Sequence, residues 1–463
     1  MVDINRRDAV KHLGGMAGGF AAVMAGGDSF WEEFGKPEPA EYAQSAARRG
    51  LPPVKITDVK VIRTQVGRSQ FLNVKVLTDE PGLYGVGDGN HLERVSIVAA
   101  NIEKFLKPMV VGRNVDEIED IWQTAFTSTY WRSAVDANNA MAAIDGALWD
   151  IMGKRAGMPV YNLLGGRVRA GTRMFTGAST RSLEDLEDSI REGMERGYQH
   201  FRFRGVRDPN SPVTEMNSEA AAAAAAALDR GVDLPRFSKT TDAYFIHSLE
   251  RAFEHIRNTI GWDIELGSDV HNNVTPAGGL ILAKALEPYR PWFLEDLFTV
   301  DDWGWYERVR ETSAVGLAHG ETFTHRLEWL PLVENHLIDY VRAHISAIGG
   351  LNMARKLAML CEFFNVRTSW HGPSNVSPIG HAINMHLDLA CYNFGIGEGG
   401  NFNDQLRELY PGLPEIRNGV RYPANDLPGL GVDIDEEVAA KYPPQDPGCN
   451  RGARSIDGEP RRP

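Results

Sequence analysis

Two successive patterns of apolar residues follow residue 53. Between residues 54 and 89, apolar and polar side chains alternate over short runs, which is typical of β-strands. From about residue 96 to residue 153, apolar residues recur at helical spacing, as in Met141, Ile144 and Leu148. Strands followed by a run of helices predict a compact α+β domain, which we place at residues 54–166.

After residue 166 the pattern changes, and short strand-like runs alternate with longer helical stretches. The candidate strands are residues 173–176, 200–204, 263–266, 292–295, 314–318, 340–345, 367–370 and 394–396. Eight strand–helix units over roughly 230 residues predict a TIM-type barrel at residues 167–400, since about 250 residues is typical of that fold. A doubly wound open sheet is the competing architecture, but no G-x-G-x-x-G follows the first candidate strand.

One insertion interrupts this alternation of strands and helices. Residues 205–240 contain three prolines and eight consecutive alanines, from Ala220 to Ala227. A loop of this length in a compact domain is usually functional, and loops that follow barrel strands lie over the active-site face. Because alanine is a strong helix former, we expect these residues to form a lid that is partly helical.

Both ends of the chain differ in composition from its body. In residues 1–45, Arg6, Arg7 and Lys11 precede a weakly apolar run of Ala, Gly and Met that resembles a bacterial twin-arginine export signal. The run is too short and too rich in glycine to span a bilayer. We therefore expect export to the periplasm, or a cytoplasmic protein if these residues are only a disordered or amphipathic arm. Residues 446–463 are rich in Pro, Gly and Arg and predict a tail without a core.

The composition excludes several classes of protein. The chain has 49 Lys and Arg against 62 Asp and Glu, a formal net charge of −13, which argues against a nucleic-acid or anionic-membrane partner. The three cysteines, Cys361, Cys391 and Cys449, form no C-x-x-C pair and exclude a disulfide scaffold and a thiolate zinc site. A metal in this protein must therefore be held by oxygen or nitrogen.

Three acidic residues follow three successive candidate strands at equal spacing. Asp269, Glu295 and Glu321 are separated by 26 residues each (295 − 269 and 321 − 295), about the length of one strand–helix unit. In a barrel, this spacing brings three carboxylates together at the catalytic mouth, where they repel one another unless a cation is present. Mg²⁺ prefers oxygen ligands and keeps positions open for substrate, so the sequence predicts a magnesium site. For any one of these acids alone, the alternative is a helix N-terminal position.

Cationic and histidine side chains lie at the same strand ends. Residues that alternate along a strand point to one side, so each of two pairs, Arg202 with Arg204 and Arg342 with His344, is expected to face the pocket. The remaining candidates are His271, which is two residues after Asp269, and the residues at the last two strands, His371 and Glu398. The predicted pocket therefore suits a small anionic substrate, although a single histidine is more often structural than catalytic.

Several short motifs, taken in order, resemble the enolase superfamily, in particular its mandelate racemase-like branch and the mannonate dehydratase and RspA-like subgroup. The resemblance covers about residues 54–442. Its strongest marks are Ser268-Asp-Val-His271, Leu294-Glu-Asp296, His319-Gly-Glu321, Ile348-Gly-Gly350 and Trp370-His-Gly-Pro373.

The resemblance implies a fold and a chemistry. The fold is α/β, a modified TIM barrel of the (β/α)7β type with an α+β capping domain that residues 401–445 complete. The chemistry is removal of the proton α to a carboxylate through an enediolate, with Mg²⁺ on Asp269, Glu295 and Glu321. Preorganised positive charge is the effective means of stabilising the second negative charge that develops. The resemblance also implies a homo-oligomer.

Roles for single residues are carried over by position. Arg202 matches an arginine common in the dehydratase-like subgroup, and Arg204 stands where many relatives have a lysine base, which disfavours a simple racemase because Arg does not readily deprotonate. His271 matches the acid that protonates the departing hydroxyl, and His371 matches the histidine of the seventh strand. The substrate-binding positions are Arg342, His344, Asn375 and Glu398.

Three departures from the subgroup argue against mannonate as the substrate. No tyrosine occurs between residues 205 and 243, where mannonate dehydratases use one. His344 stands where an aspartate usually pairs with the seventh-strand histidine, and Asn375 stands where mannonate dehydratases often have an aspartate. The sequence therefore predicts a hydro-lyase that dehydrates another sugar acid. The alternatives are a racemase, epimerase or cycloisomerase of a 2-hydroxy acid, and a metal-binding relative with little activity. Substrate specificity is expected in residues 67–70, 87–91 and 205–240.

Overall fold

The computed structural model describes residues 52–90, 94–206, 241–374 and 376–445, and the backbone of residues 453–454 and 460–461. The predicted export signal, nearly all of the predicted lid, Asn375 and most of the tail lie outside the described residues. The described residues from Val54 onward belong to one compact unit. None of the helices in the described ranges has the length and apolar character needed to cross a membrane.

The N-terminal part of this unit is a three-stranded antiparallel sheet covered by helices. The strands, in the order β1-β2-β3, are β1 (Ile56–Val66), β2 (Ser69–Thr78) and β3 (Tyr84–Asp88). The helices are α1 (Val95–Asn101), α2 (Lys107–Val110), α3 (Ile118–Thr127), α4 (Val135–Ala156) and α5 (Val160–Leu163), with one π-helical turn (Ile102–Leu106) between α1 and α2. The predicted order of strands and then helices is therefore present.

Glycines allow the central helix α4 to pack against the edge of this sheet. A Cβ atom on Gly85 would lie 2.0 Å from the carbonyl oxygen of Ala147, and one on Gly87 would lie 1.9 Å from that of Ala143. Because both helix residues belong to α4, only glycine permits β3 to approach so closely. Helix α4 ends at Gly157, whose φ of 66° is the left-handed conformation that commonly closes a helix.

The rest of the unit is built around seven parallel strands in consecutive order. They are β5 (Thr176–Gly177), β6 (His200–Phe203), β7 (Glu265–Asp269), β8 (Leu294–Glu295), β9 (Leu317–His319), β10 (Tyr340–Val341) and β11 (Arg367–Thr368). The outer helices are α6 (Leu183–Glu195), α7 (Asp242–Thr259), α8 (Pro276–Leu286), α9 (Trp305–Thr312), α10 (Arg326–Glu334), α11 (Leu351–Phe363) and α12 (Pro378–Ala390). Short 3₁₀ helices follow α8 (Glu287–Tyr289) and β8 (Val300–Asp302). The consecutive parallel order confirms the α/β class.

The eighth predicted strand, residues 394–396, is a pair of single bridges rather than a strand. Phe394 bridges Thr368 of the last strand, and Gly397 bridges Met174 beside the first strand, both in parallel orientation. The segment thereby connects the two ends of the seven-stranded sheet. The sixth strand is also shorter than the predicted 340–345, because its neighbours β9 and β11 end at His319 and Thr368 and leave the following residues without strand partners.

The C-terminal segment returns to the sheet of the N-terminal part. It contains α13 (Asp404–Leu409), β12 (Glu415–Arg417), β13 (Val420–Tyr422) and α14 (Glu436–Ala439), and β13 pairs with β4 (Thr172–Arg173). The hydroxyl of Tyr410 donates a hydrogen bond to Asn73 Oδ1 at 2.8 Å, and the N–H of Gln65 donates one to the carbonyl of Tyr442 at 3.1 Å. A final pair, β14 (Ala453–Arg454) and β15 (Pro460–Arg461), is antiparallel.

Candidate active site

The predicted metal carboxylates lie at neighbouring strand ends. Asp269 ends β7 and is paired in register with Glu295, which ends β8, and Glu321 lies two residues after the end of β9. Oxygen atoms of Glu295, Asp296 and Glu321 lie within 4.8 Å of one another. Asp269 is not part of this tight group, and its Oδ2 accepts a hydrogen bond from Arg204 Nη2 at 2.8 Å.

Two arginines and two glutamates form a closed ring of ion pairs at this site. Arg202 contacts Glu295 Oε2 at 2.5 Å and Glu398 Oε1 at 2.7 Å, and Arg342 contacts Glu295 Oε1 at 2.5 Å and Glu398 Oε2 at 2.5 Å. Both guanidinium groups lie over the ring of Phe175, at 4.9 Å for Arg202 and 5.5 Å for Arg342. Arg342 has no exposed surface, so its charge acts on these carboxylates.

The two glutamates of the ring differ in how readily they ionise. Complete burial raises the pKa of Glu295 to about 7, against the opposing charges of Arg342 and Arg202. Burial also opposes ionisation of Glu398, but Arg202 and Arg342 outweigh it and hold the pKa of Glu398 below its ordinary value. The charge of His371 and the N–H of Gly372, which donates to Glu398 at 2.8 Å, also lower the pKa of Glu398, whereas Asp269 adds negative charge that raises the pKa of Glu295.

Two histidines contact the third carboxylate, Glu321. His271 Nε2 lies 3.2 Å from Glu321 Oε1, and His371 Nε2 lies 3.1 Å from Oε2. The hydrogen bond to Glu321 and its negative charge raise the pKa of His271 to about 9. Burial lowers the pKa of His371, but the charge of Glu321 and the hydrogen bond to it outweigh burial and raise that pKa. Burial likewise opposes ionisation of Glu321, yet the two histidines lower its pKa.

His271 does not lie on strand β7, as alternation along the strand predicts, but in the turn that follows it. Strand β7 ends at Asp269, and His271 has a φ of 49°, in the left-handed region that non-glycine residues seldom adopt. Its ring therefore points to Glu321 from a tight turn. His344 lies beside the seventh-strand histidine, with Nδ1 at 2.9 Å from Nδ1 of His371.

The structure thus brings together most of the residues singled out from the sequence. They are Arg202, Arg204, Asp269, His271, Glu295, Glu321, Arg342, His344, His371 and Glu398. Asn375 lies outside the described residues.

Two residues without a predicted role are part of the site. Asp296 belongs to the tight carboxylate group, and its Oδ1 contacts His319 Nδ1 at 2.6 Å. Both lie inside motifs that mark the resemblance, next to or two residues from a predicted metal ligand. That proximity is the signal in the sequence, but only the folded chain shows that the two side chains touch.

A cleft between the N-terminal sheet and the barrel adjoins the histidines. It is lined by His344 and His371 on one side and by Asp88 of β3 on another. Asp88 belongs to residues 87–91, where substrate specificity is expected from the sequence. Residues 91–93 lie outside the described ranges.

The donor set suits a hard divalent cation. Carboxylate oxygens are the ligands that Mg²⁺ prefers. Within the described part of the chain, Asp269 Oδ1 and Asp296 Oδ2 are buried without a hydrogen-bond partner, and such atoms are costly unless something binds them. The raised pKa of Glu295 indicates that its ionised form would gain from additional positive charge. The residues present therefore fit the cation.

The comparisons with known proteins define the class of this fold and site. Residues 47–165 match the family model described as mandelate racemase / muconate lactonizing enzyme, N-terminal domain, and residues 185–438 match the one described as enolase C-terminal domain-like. The chain therefore belongs to the mandelate racemase / muconate lactonizing enzyme family of the enolase superfamily, and within it to the D-galactonate dehydratase family. The predicted family and fold are confirmed.

Individual relatives are similar over nearly their whole length. A D-galactonate dehydratase family member from Musicola paradisiaca is 44% identical over 421 residues, which cover 89% of this chain and 99% of the relative. One from Salmonella enteritidis has the same identity and coverage. A solved structure of an enolase from Pantoea ananatis, with bound D-gluconate and Mg, is 40% identical with a TM-score of 0.79, covering 89% of this chain and 100% of that one.

Proposed function

We propose that this protein dehydrates a sugar acid in a Mg²⁺-dependent reaction that begins with removal of the proton α to the carboxylate. The observation that carries the proposal is the arrangement of Glu321, which is contacted by His271 on one oxygen and by His371 on the other, beside the carboxylates Glu295 and Asp296. The D-gluconate and Mg of the Pantoea ananatis structure support the same class of substrate and cation.

Asp269, Glu295 and Glu321 are proposed to hold the cation. When bound, Mg²⁺ supplies positive charge at the substrate carboxylate and lowers the cost of the second negative charge that forms there when the α-proton leaves. The buried oxygen of Asp269 that lacks a hydrogen-bond partner supports its inclusion, although Arg204 contacts the other oxygen.

The two histidines are proposed to move the protons. His371 Nε2 takes the proton from C2 of the sugar acid, and His271 Nε2 gives a proton to the hydroxyl that leaves C3, so that water departs and a C2–C3 enol remains. The enol then becomes a 2-oxo-3-deoxy acid. General acid–base steps of this kind require a donor and an acceptor beside the reacting carbons. The two Nε2 atoms lie on different oxygens of Glu321, and each would exchange that contact for one to the substrate.

The arginines have separate roles in this proposal. Arg202 and Arg342 hold Glu295 and Glu398 in place and favour their ionised forms, because each guanidinium bridges both carboxylates. Arg204 has a half-exposed side chain on the open side of the site and is proposed to bind the substrate anion. Arg204 occupies the position where many relatives have a lysine base, and Arg does not readily give up its proton. The described site therefore has no lysine-type base on this strand.

A second candidate function is racemisation or epimerisation of a 2-hydroxy acid. The observation that favours it is the presence of two imidazoles on opposite oxygens of one carboxylate, an arrangement that also suits removal and return of a proton at the same carbon. The two functions differ in whether water is lost.

A screen of mono- and dicarboxylic sugar acids with Mg²⁺, followed by detection of 2-oxo acids, tests the proposal. We expect one or a few acids to give an oxo acid, and EDTA and His271→Asn to abolish it. His247→Asn, which changes an exposed histidine on α7, is the matched control and should retain activity. If no acid gives an oxo product while one is racemised, the second candidate replaces the first. Full activity in His271→Asn would contradict the role of His271.

Two further expectations concern the whole protein. We propose that it is a homo-oligomer and that residues 1–45 direct export to the periplasm. Light scattering of the purified protein tests the first, and a mature N-terminus between residues 26 and 45 in a periplasmic fraction tests the second. A monomer, or an intact N-terminus in the cytoplasm alone, would contradict them.

A further inference from the structure

Asp296, a member of the carboxylate group, forms a buried pair with His319. The distance from Asp296 Oδ1 to His319 Nδ1 is 2.6 Å, and each residue is only 1% exposed. At this distance the ring nitrogen and the carboxylate oxygen form a hydrogen bond. The His319 ring is fixed between two aromatic rings, with centroids 5.3 Å from Tyr306 and 5.0 Å from Phe323.

The pair connects the loops that carry the metal carboxylates. Asp296 directly follows Glu295 at the end of β8, and His319 is two residues before Glu321 at the end of β9. The backbone N–H of Asp296 donates to the carbonyl of Ala318 at 3.0 Å. The side-chain contact therefore adds a second link between the same two strand ends.

Asp296 also contacts the loop that carries His271. Its carbonyl accepts a hydrogen bond from the Asn272 N–H at 3.0 Å. Its φ of 45° lies in the left-handed region, which costs a non-glycine residue free energy and persists only where the surroundings hold it. One residue thus contacts all three loops of the site in a conformation that its partners must maintain.

We infer that Asp296 and His319 are a positioning pair that sets the separation of Glu295 and Glu321 and thereby the affinity of the site for a divalent cation. The inference rests on the proposed function, because that function assigns the cation to these carboxylates. Groups behind the ligands of a metal site commonly orient them, and losing one costs on the order of 10- to 100-fold in affinity. Neither the sequence resemblance nor the comparisons assign a role to either residue.

Calorimetric titration of the purified full chain with Mg²⁺ alone, without substrate, tests the inference. His319→Leu removes the hydrogen-bonding partner of Asp296 Oδ1, and we expect its Mg²⁺ affinity to fall on the order of 10- to 100-fold. His319→Asn keeps a nitrogen donor near the position of Nδ1 and should bind Mg²⁺ much as the wild type does. His247→Leu on the outer helix α7 is the control for a histidine lost elsewhere. Thermal unfolding in EDTA reports whether each variant is folded.

The outcomes separate positioning from simple structural support. A folded His319→Leu variant with wild-type Mg²⁺ affinity overturns the inference. If His319→Leu does not fold, His319→Gln replaces it, because the side-chain nitrogen of Gln lies toward the Nε2 position and away from Asp296. Equal Mg²⁺ affinities in His319→Gln and His319→Asn would then overturn the inference. A wild type that binds Mg²⁺ but dehydrates no acid overturns the proposed function and leaves the inference intact. A wild type that binds no Mg²⁺ overturns both.

Discussion

Nδ1 of His371 lies 2.9 Å from Nδ1 of His344, and Nε2 of the same His371 ring lies 3.1 Å from Glu321. Only one of two facing Nδ1 atoms can carry a proton. When His371 is protonated on both nitrogens, His344 must accept at Nδ1 and hold its own proton on Nε2. The partner of the proposed base is therefore a ring whose Nδ1 can either give or take a hydrogen bond, whereas an ionised carboxylate only accepts.

Replacing the partner of His371 should slow turnover more than it weakens substrate binding. In His344→Leu, Nδ1 of the buried His371 ring loses its partner, which costs about 1–3 kcal/mol, or a fall in kcat of about 5- to 150-fold if the cost falls on the transition state. Steady-state kinetics with the best sugar acid measure the effect, with His247→Leu as the control. A kcat equal to that of the wild type would show that His344 does not orient the base.

The buried ion pairs of the ring should contribute more to the free energy of unfolding than an exposed ion pair at the same site. Arg342→Met leaves Glu295 and Glu398, both buried, with Arg202 as their one remaining shared cation, and breaking buried pairs in this way costs about 3–5 kcal/mol. Arg204→Met breaks the contact to Asp269 from a side chain that is 53% exposed, and such pairs contribute about 0–1 kcal/mol. Urea unfolding of both variants in EDTA compares the free energies of unfolding. Equal losses in the two variants would contradict this account of the ring.

Asp145 on helix α4 should make stability depend on pH. Its Oδ2 accepts the backbone N–H of Asn352 at 2.9 Å, and complete burial raises the pKa of Asp145 to about 7. The folded state therefore holds a proton that the unfolded state releases above about pH 4, and the stability this contributes is lost as the pH rises to about 7.

The Asp145→Asn variant isolates that contribution. Asn stays neutral at every pH. The free energy of unfolding of the variant, relative to that of the wild type, should therefore rise by about a few kcal/mol between pH 5 and pH 8. Urea unfolding at both pH values measures the difference. A difference that is the same at pH 5 and pH 8 would show that Asp145 is ionised in the folded protein throughout this range.

The spacing of the acids was the most informative feature of the sequence. Strand–helix units of similar length place equivalent residues at the same edge of a parallel sheet, so residues 26 apart had to become neighbours if the barrel formed. Asp269 and Glu295 are indeed paired in register on β7 and β8.

Contacts between side chains from distant parts of the chain could not be predicted in the same way. Alternation along a strand places Arg202 on the pocket side, but it does not show that its guanidinium reaches both Glu295 and Glu398. His271 reaches Glu321 from a left-handed turn, and Asp296 joins the carboxylate group in another. Such turns depend on tertiary packing, which overrides the local preference of these residues.

The length of the strands could not be predicted from the sequence either. The predicted run 340–345 is apolar enough for a long strand, yet only Tyr340–Val341 pairs with its neighbours. Pairing requires partners on both sides, and the adjacent strands end at His319 and Thr368. The residues that follow, among them Arg342 and His344, turn from ladder positions into the site.

The most direct test of the proposed reaction is incubation of the wild-type protein with Mg²⁺ and individual sugar acids, D-gluconate and D-galactonate among them, in D₂O, followed by proton NMR. The account predicts a 2-oxo-3-deoxy acid that carries deuterium at C3, formed with Mg²⁺ and absent with EDTA. Recovery of every acid unchanged and without deuterium at C2 would contradict it, and deuterium at C2 without loss of water would point to racemisation instead.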